Sequence, residues 1–372
     1  FAFGDVGDQL GNGESFVSMA YQVIDGVHYL ILLDNSTSGY KITVFSPTEY
    51  CDTIMSALRN ENEHNYSDSI TYWQDVLTRN NNFDLAYIGI GKALYSQGKY
   101  EEAQEYLSKA YETSYYSKAF SESRKSFLSK WLLPIIILIV VALVFFFKFL
   151  AWAKVKNKAV SLKVGRKTYG EELLYCFHLQ FHPFDGFWDL KHEQRGSVRG
   201  GITILAFTFI AFFYQSIGKG YVFNPRGTYS TIFIQAASVL VPVLLWVVSN
   251  WCFTTLFDGE GSFKDIFVAT TYSLFPLPFL IILSTILTNV LTSSEGSIVS
   301  LLVSIGYIWV GLLLFFGMLV THDYSMGKNI VACLCSIVAM IVIMFVSILF
   351  SSLVVKMVTF VVSIVNEIAN RV

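Results

Sequence analysis

The sequence predicts a multidomain chain with an α-helical membrane bundle of six spans, one anchor helix and five more, behind an extramembrane front third. Three observations predict it. Over 372 residues the mean hydropathy is +0.51, with 53% hydrophobic and 15% charged residues, too apolar for an ordinary soluble domain. Apolar stretches of spanning length recur from residue 131 onward, separated by short polar breaks. Charge is also divided: residues 1–130 hold ten Lys and Arg against seventeen Asp and Glu, a net of −7, whereas residues 151–200 hold nine against five, a net of +4.

The first span is read at 131–152, where WLLPIIILIVVALVFFFKFLAW carries one charge, Lys148, and is bracketed by Trp131 and Trp152 as interfacial aromatics are. At about 1.5 Å per residue this length crosses a hydrocarbon core of roughly 30 Å. Five further spans are expected at 201–218, 229–252, 266–291, 297–320 and 329–355. Lys154, Lys156, Lys158, Lys163, Arg166 and Lys167 follow the anchor without an intervening acid, which places the 153–200 loop in the cytoplasm and the front third outside. The segment 357–372, MVTFVVSIVNEIANRV, is expected to lie at the interface as an amphipathic helix.

Between Gly201 and Val355 every Asp, Glu, Lys, Arg and His falls in a break, which disfavours an ion-coupled transporter acting alone. His322-Asp323 is read as a pair satisfied by water and helix ends in a turn. Pro242 and the Phe275-Pro276-Leu277-Pro278 cluster are expected to interrupt helical hydrogen bonding, as a packing kink rather than a binding-site break.

In the front third, residues 84–110 read as two amphipathic helices broken at Ser96-Gln97-Gly98-Lys99. Their small residues resemble the tetratricopeptide register, with Gly91 and Ala103 at the helix contact. A 34-residue shift sets Ala57 against Gly91, Tyr66 against Tyr100 and Trp73 against Leu107, with His64-Asn65 in place of the Gly-Lys turn. Residues 47–125 are therefore expected to be stacked helical repeats. Residues 1–46 read as strands with hairpins at Asp25-Gly26 and Ser36–Gly39. Phe1, Phe3, Gly4, Gly7, Phe16, Asp25, Gly26, Tyr29, Asp34, Ile42, Val44 and Phe45 resemble the pattern of one NHL-type propeller blade. One blade cannot close a propeller, so further blades and a signal peptide are expected upstream.

Candidate docking residues are Phe181, His182, Pro183, Phe184, Phe187 and Trp188 in the loop after the anchor, and Tyr87 and Tyr95 on the repeats. Cys176, His178 and His182 lack a fourth ligand, so no metal is expected there. No G-x-S-x-G, H-E-x-x-H, P-loop or strand-linked G-x-G-x-x-G is found, and no enzyme, cofactor or nucleic-acid partner is expected. The five cysteines are too dispersed to form a disulfide framework.

HPFDGFWDLKHEQRGS before the second span and THDYSMGKNI before the last resemble the bacterial branch of the Yip (Ypt-interacting protein) domain family. The resemblance implies a five-helix membrane domain over 201–372, with its motifs starting near residue 170. It further implies a non-enzymatic accessory or scaffold subunit of a bacterial plasma-membrane complex, a carbohydrate ABC importer. Its partners would be permease subunits or an extracytoplasmic solute-binding protein. A stand-alone organiser of membrane shape or traffic, or an independent channel, are the alternatives.

Overall fold

A computed structural model of the chain describes residues 15–36, 39–161, 167–254 and 256–371. Two compact units divide at Ser126 and Phe127.

The front unit opens with three antiparallel strands in the order β1 (Phe16–Ile24), β2 (Val27–Ser36) and β3 (Gly39–Phe45). At the first hairpin Asp25 and Gly26 take φ of 50° and 80°, the paired positive values of a tight type I′ turn. Ser36 pairs with Gly39 at the second, so both expected hairpins form. The Asp34 carboxylate accepts from the Ser15 amide at 2.7 Å and fixes the start of β1. Phe1, Phe3, Gly4 and Gly7 lie outside the described residues.

Four helices follow, α1 (Glu49–Asn62), α2 (Tyr66–Arg79), α3 (Asp84–Ser96) and α4 (Tyr100–Lys109). Their shared core holds Ile54, Ala57, Trp73, Val76, Ile90, Leu94, Ala103 and Leu107. Small residues set the spacing. A Cβ on Gly91 would stand 2.5 Å from Leu107 Cγ, and one on Gly89 2.2 Å from the Trp73 ring nitrogen, so both glycines are contact points. Between α1 and α2, the Ser69 hydroxyl donates to the Ala57 carbonyl at 2.9 Å. The turns also correspond: His64 takes φ 63° and Gly98 takes φ 78°, at positions 34 residues apart.

The second unit begins inside the 49-residue α5 (Thr113–Ser161), which continues through the expected anchor and nine residues past it. Pro134 leaves it unbroken. Beyond lie α6 (Tyr169–Phe181), α7 (Pro183–His192), α8 (Val198–Gly218), α9 (Ile232–Thr254), α10 (Phe263–Ser273), α11 (Pro276–Thr288), α12 (Gly296–His322) and α13 (Met326–Arg371). Six helical segments among the described residues are long and apolar enough to cross a membrane, with α10 and α11 together making one. The α10–α11 pair forms the centre, packed against α8, α9 and α12.

One expectation is met and two are revised. The 266–291 stretch is two helices, because Pro276 and Pro278 bring no N–H to the ladder and start α11 afresh. Phe275 fills the break, 4.9 Å from Phe177 and 5.1 Å from Phe279, so the interruption is packed. Pro242, by contrast, sits within a continuous α9. Residues 357–371 are not a separate interfacial helix; they extend α13 without a break, since nothing in MVTFVVSIVNEIANR stops helical hydrogen bonding.

Several hydroxyls inside the spans are satisfied on their own helices. Thr208 donates to Ile204 O, Ser273 to Ala269 O and Thr285 to Ile281 O, each at 2.8–2.9 Å. That is the local solution open to a polar side chain where no water is at hand.

The left-handed conformation costs a non-glycine residue roughly 1–2 kcal/mol. Replacing His64 with Gly is expected to stabilise the α1–α2 turn by about 1 kcal/mol, read as greater hydrogen-exchange protection across residues 49–79.

Candidate functional site

The stretch HPFDGFWDLKHEQRGSVRGG folds into α7 and the entry to α8, and Gly186, Gly196, Gly200 and Gly201 all make close contacts there. A Cβ on Gly200 would lie 2.4 Å from the Tyr272 hydroxyl, and one on Gly201 2.4 Å from Thr271 Oγ1, so α8 and α10 meet backbone to side chain. Ser197 caps α8 by accepting from the Gly200 amide at 3.2 Å, and its hydroxyl donates to Glu172. Glu172 is buried and also takes both arms of Arg199, at 2.8 Å each. The Tyr272 hydroxyl donates to the Glu172 carbonyl at 3.3 Å. Three helices, α6, α8 and α10, are thereby joined at Glu172.

A second polar group lies beside it. Tyr175 donates to Asp189 at 2.6 Å, and the Arg195 guanidinium sits 5.1 Å from the Tyr175 ring and donates to Asn157 O at 3.0 Å. Burial, then the bond to Asp189, pushes the Tyr175 phenol far up. Cys176 is fully buried and its thiol is raised by desolvation, while His178 stacks on His182 at 4.6 Å. Among the described residues no three His, Cys, Asp or Glu side chains are grouped to hold a metal.

His322 requires a correction. It is the last residue of α12 and is buried, not water-satisfied, because its ring is enclosed by the following loop and by α9. Its Nε2 pairs with Asn250 Oδ1 at 2.9 Å, and its Nδ1 accepts from the Gly261 amide at 3.3 Å. The ring stacks on Tyr324 at 4.9 Å.

Above this a pocket of about 410 Å³ opens between α7, the end of α12 and the 256–262 loop. Its walls include Phe184, Asp185, Trp188, Lys191 and His192 from the first motif, Asp323 and Tyr324 from the second, and Glu260 between them. The two sequence motifs converge on one cavity. Lys191 binds Glu260 at 3.0 Å, and that hydrogen bond holds the Glu260 carboxyl below its ordinary value. Trp188 stacks on His192 at 4.6 Å.

Of the expected docking residues, Phe184 and Trp188 line this pocket and each is 50% exposed. Phe181 is 59% exposed, its ring centre 6.2 Å from that of Trp309 in an edge-on contact. His182 is exposed and Pro183, half-buried, starts α7. Phe187 is a correction: it is fully buried against Gly317, because Gly186, Phe187 and Leu190 form the inner face of α7. Tyr87 and Tyr95 are half-buried in the front unit and already engaged, Tyr87 donating to Asn81 and Tyr95 packing on Tyr100 and Tyr115. Sequence reading missed Asp185, Lys191, Glu260, Asp323 and Tyr324. The signal was the i, i+4, i+7, i+8 row of Phe184, Trp188, Lys191 and His192 on one face of α7.

Two outcomes follow from this geometry. Glu172→Gln leaves Arg199 without its carboxylate, and the variant is expected to lose about 1–3 kcal/mol of stability, seen as a lower thermal midpoint in detergent. His178 has its pKa held below the ordinary 6.5, first by desolvation and then by His182. The unfolded chain therefore binds this proton more readily, so stability is full above pH 6.5 and falls as pH drops through the lowered value. His178→Gln is expected to flatten the decline of thermal midpoint between pH 7 and pH 5.

No curated protein matches the chain, and no solved structure does. The family model described as the Yip1 domain matches residues 177–349, from within α6 to within α13. The chain is thus an integral membrane protein that carries a Yip1 domain at residues 177–349.

Proposed function

We propose that the chain is a non-enzymatic scaffold of a membrane complex, carrying binding modules on one side of the bilayer and anchoring them through its Yip1 bundle. The observation that carries this reading is the 34-residue correspondence in the front unit. Ala57 and Gly91, Trp73 and Leu107, and the left-handed turn residues His64 and Gly98 occupy equivalent places in successive helical pairs. Stacked pairs of this tetratricopeptide kind are recognition surfaces in general. The exposed apolar strands Phe16–Ile24 and Gly39–Phe45 add a second module, in keeping with a propeller blade that packs on neighbours.

Lys154, Lys156 and Lys158, exposed at the end of α5, support an orientation with that end in the cytoplasm and the front unit outside. On this orientation Phe181, Phe184 and Trp188 form an aromatic docking edge near the cytoplasmic surface. The partner proposed, on the Yip resemblance, is the permease or solute-binding subunits of a carbohydrate ABC importer.

A tagged full-length chain, extracted in mild detergent from its native membrane, is expected to bring down such subunits. Truncating an aromatic anchor costs about 2 kcal/mol, roughly thirtyfold in affinity, so Phe181→Ala with Trp188→Ala is expected to strip the partner. Recovery of no permease or binding protein overturns the importer assignment, and recovery of the chain only with itself supports a stand-alone membrane organiser.

A further inference from the structure

The pocket between α7 and the end of α12 carries more than a general docking role. We propose that it holds the ammonium headgroup of an aminophospholipid, with the acyl chains lying along α12.

Size and charge select the headgroup. The cavity of about 410 Å³ falls among small-ligand sites, which run from roughly 300 to 1,000 Å³. Three carboxylates, Asp185, Glu260 and Asp323, face one lysine, Lys191. Lys191 and Glu260 neutralise each other at 3.0 Å. Asp185 and Asp323 make no ion pair among the described residues, so the uncompensated charge is theirs. An organic cation is the complementary ligand.

The aromatic walls favour an ammonium over a hydrated metal ion. One face of Trp188 is stacked on His192 while half the side chain stays exposed, and the Phe184 ring, 4.8 Å from Phe316, is likewise half exposed. An alkylammonium gains from such faces when water is excluded. Tyr324 is committed already, with His322 at 4.9 Å and the Lys328 ammonium at 5.3 Å from its ring, and it closes the wall without offering a face.

The route into the pocket identifies the ligand as a lipid. Leu319 and Val320 line its α12 side. Ile305, Ile308, Leu312, Phe316 and Leu319 recur at i, i+3, i+7, i+11 and i+14, one continuous stripe of a membrane helix whose first three members are exposed. A headgroup in the pocket would place its chains on that stripe.

This inference needs no protein partner, although it shares Phe184 and Trp188 with the docking edge above. The test uses the purified full chain alone, in mild detergent, titrated with phosphatidylethanolamine or phosphatidylglycerol of matched chains and read by native mass spectrometry. The ethanolamine lipid is expected to be retained about tenfold better, a difference of roughly 1.4 kcal/mol. Asp185→Asn with Asp323→Asn is expected to bring it down to the glycerol lipid's level at unchanged circular dichroism. Should that variant fail to fold, Trp188→Ala takes its place with the same expected loss. Equal retention of the two lipids, or a folded variant with undiminished selectivity, overturns the proposal. Binding of free ethanolamine or a lysine-rich peptide without retention of the ethanolamine lipid overturns the lipid source. Failure here leaves the scaffold reading to its own copurification test, and failure there leaves this lipid site intact.

Discussion

The buried carboxylate of Glu172 sets the terms for the membrane unit. An ionised group with almost no exposure is costly unless its charge and lone pairs are matched, and here both oxygens are taken by Arg199 and one also by Ser197. To deliver those donors, the start of α8 must lie against α6. For α10 to lie against both, Gly200 must present no side chain to Tyr272. The Tyr272 hydroxyl then reaches the Glu172 carbonyl, so α10 is tied to the same point. Placement of the central helices, and of α7 between this knot and α12, follows from satisfying one charge at the edge of an apolar bundle.

The apolar bundle is what the sequence shows most openly, because a bilayer demands length and hydropathy before it demands anything else. Spans at 201–218, 229–252 and 297–320 are each found within a few residues, as Val198–Gly218, Ile232–Thr254 and Gly296–His322. What composition cannot show is where a long helix stops. Residues 113–130 are polar enough to suggest a boundary at Trp131, yet they keep helical propensity and run on into the span as one helix. The same holds at the far end of α13.

In the front unit the helical pairs were legible from small residues at fixed spacing, while the first turn was obscured. His64 stands where Gly98 stands one repeat later, and a histidine gives no hint of positive φ; the structure bends it to 63° regardless. Phe187 was misread for a related reason. A run of aromatics in one short helix shows no inner and outer face until Gly186, Phe187 and Leu190 are seen against α6 and α12. Of the candidate site, the aromatic edge could be read in advance. The acids could not, because Asp185, Glu260 and Asp323 come from three separate segments.

Those segments are brought together by a hydrogen bond made where the membrane makes hydrogen bonds expensive to lose. His322 reaches back to Asn250 on α9 and receives the Gly261 amide, so the loop carrying Glu260 is drawn down onto the end of α12. Side chains at Gly259 and Gly261 would stand 2.5 Å and 2.9 Å from the imidazole, so the loop lies flat only because both are glycines. With the loop flat, Glu260 meets Lys191 of α7, and the 256–262 segment, α7 and the α12 terminus enclose a cavity. A histidine that looks like a candidate for proton chemistry thus serves the site indirectly. It spends both ring nitrogens on shape, and the pocket's recognition is left to the carboxylates and aromatic rings around it.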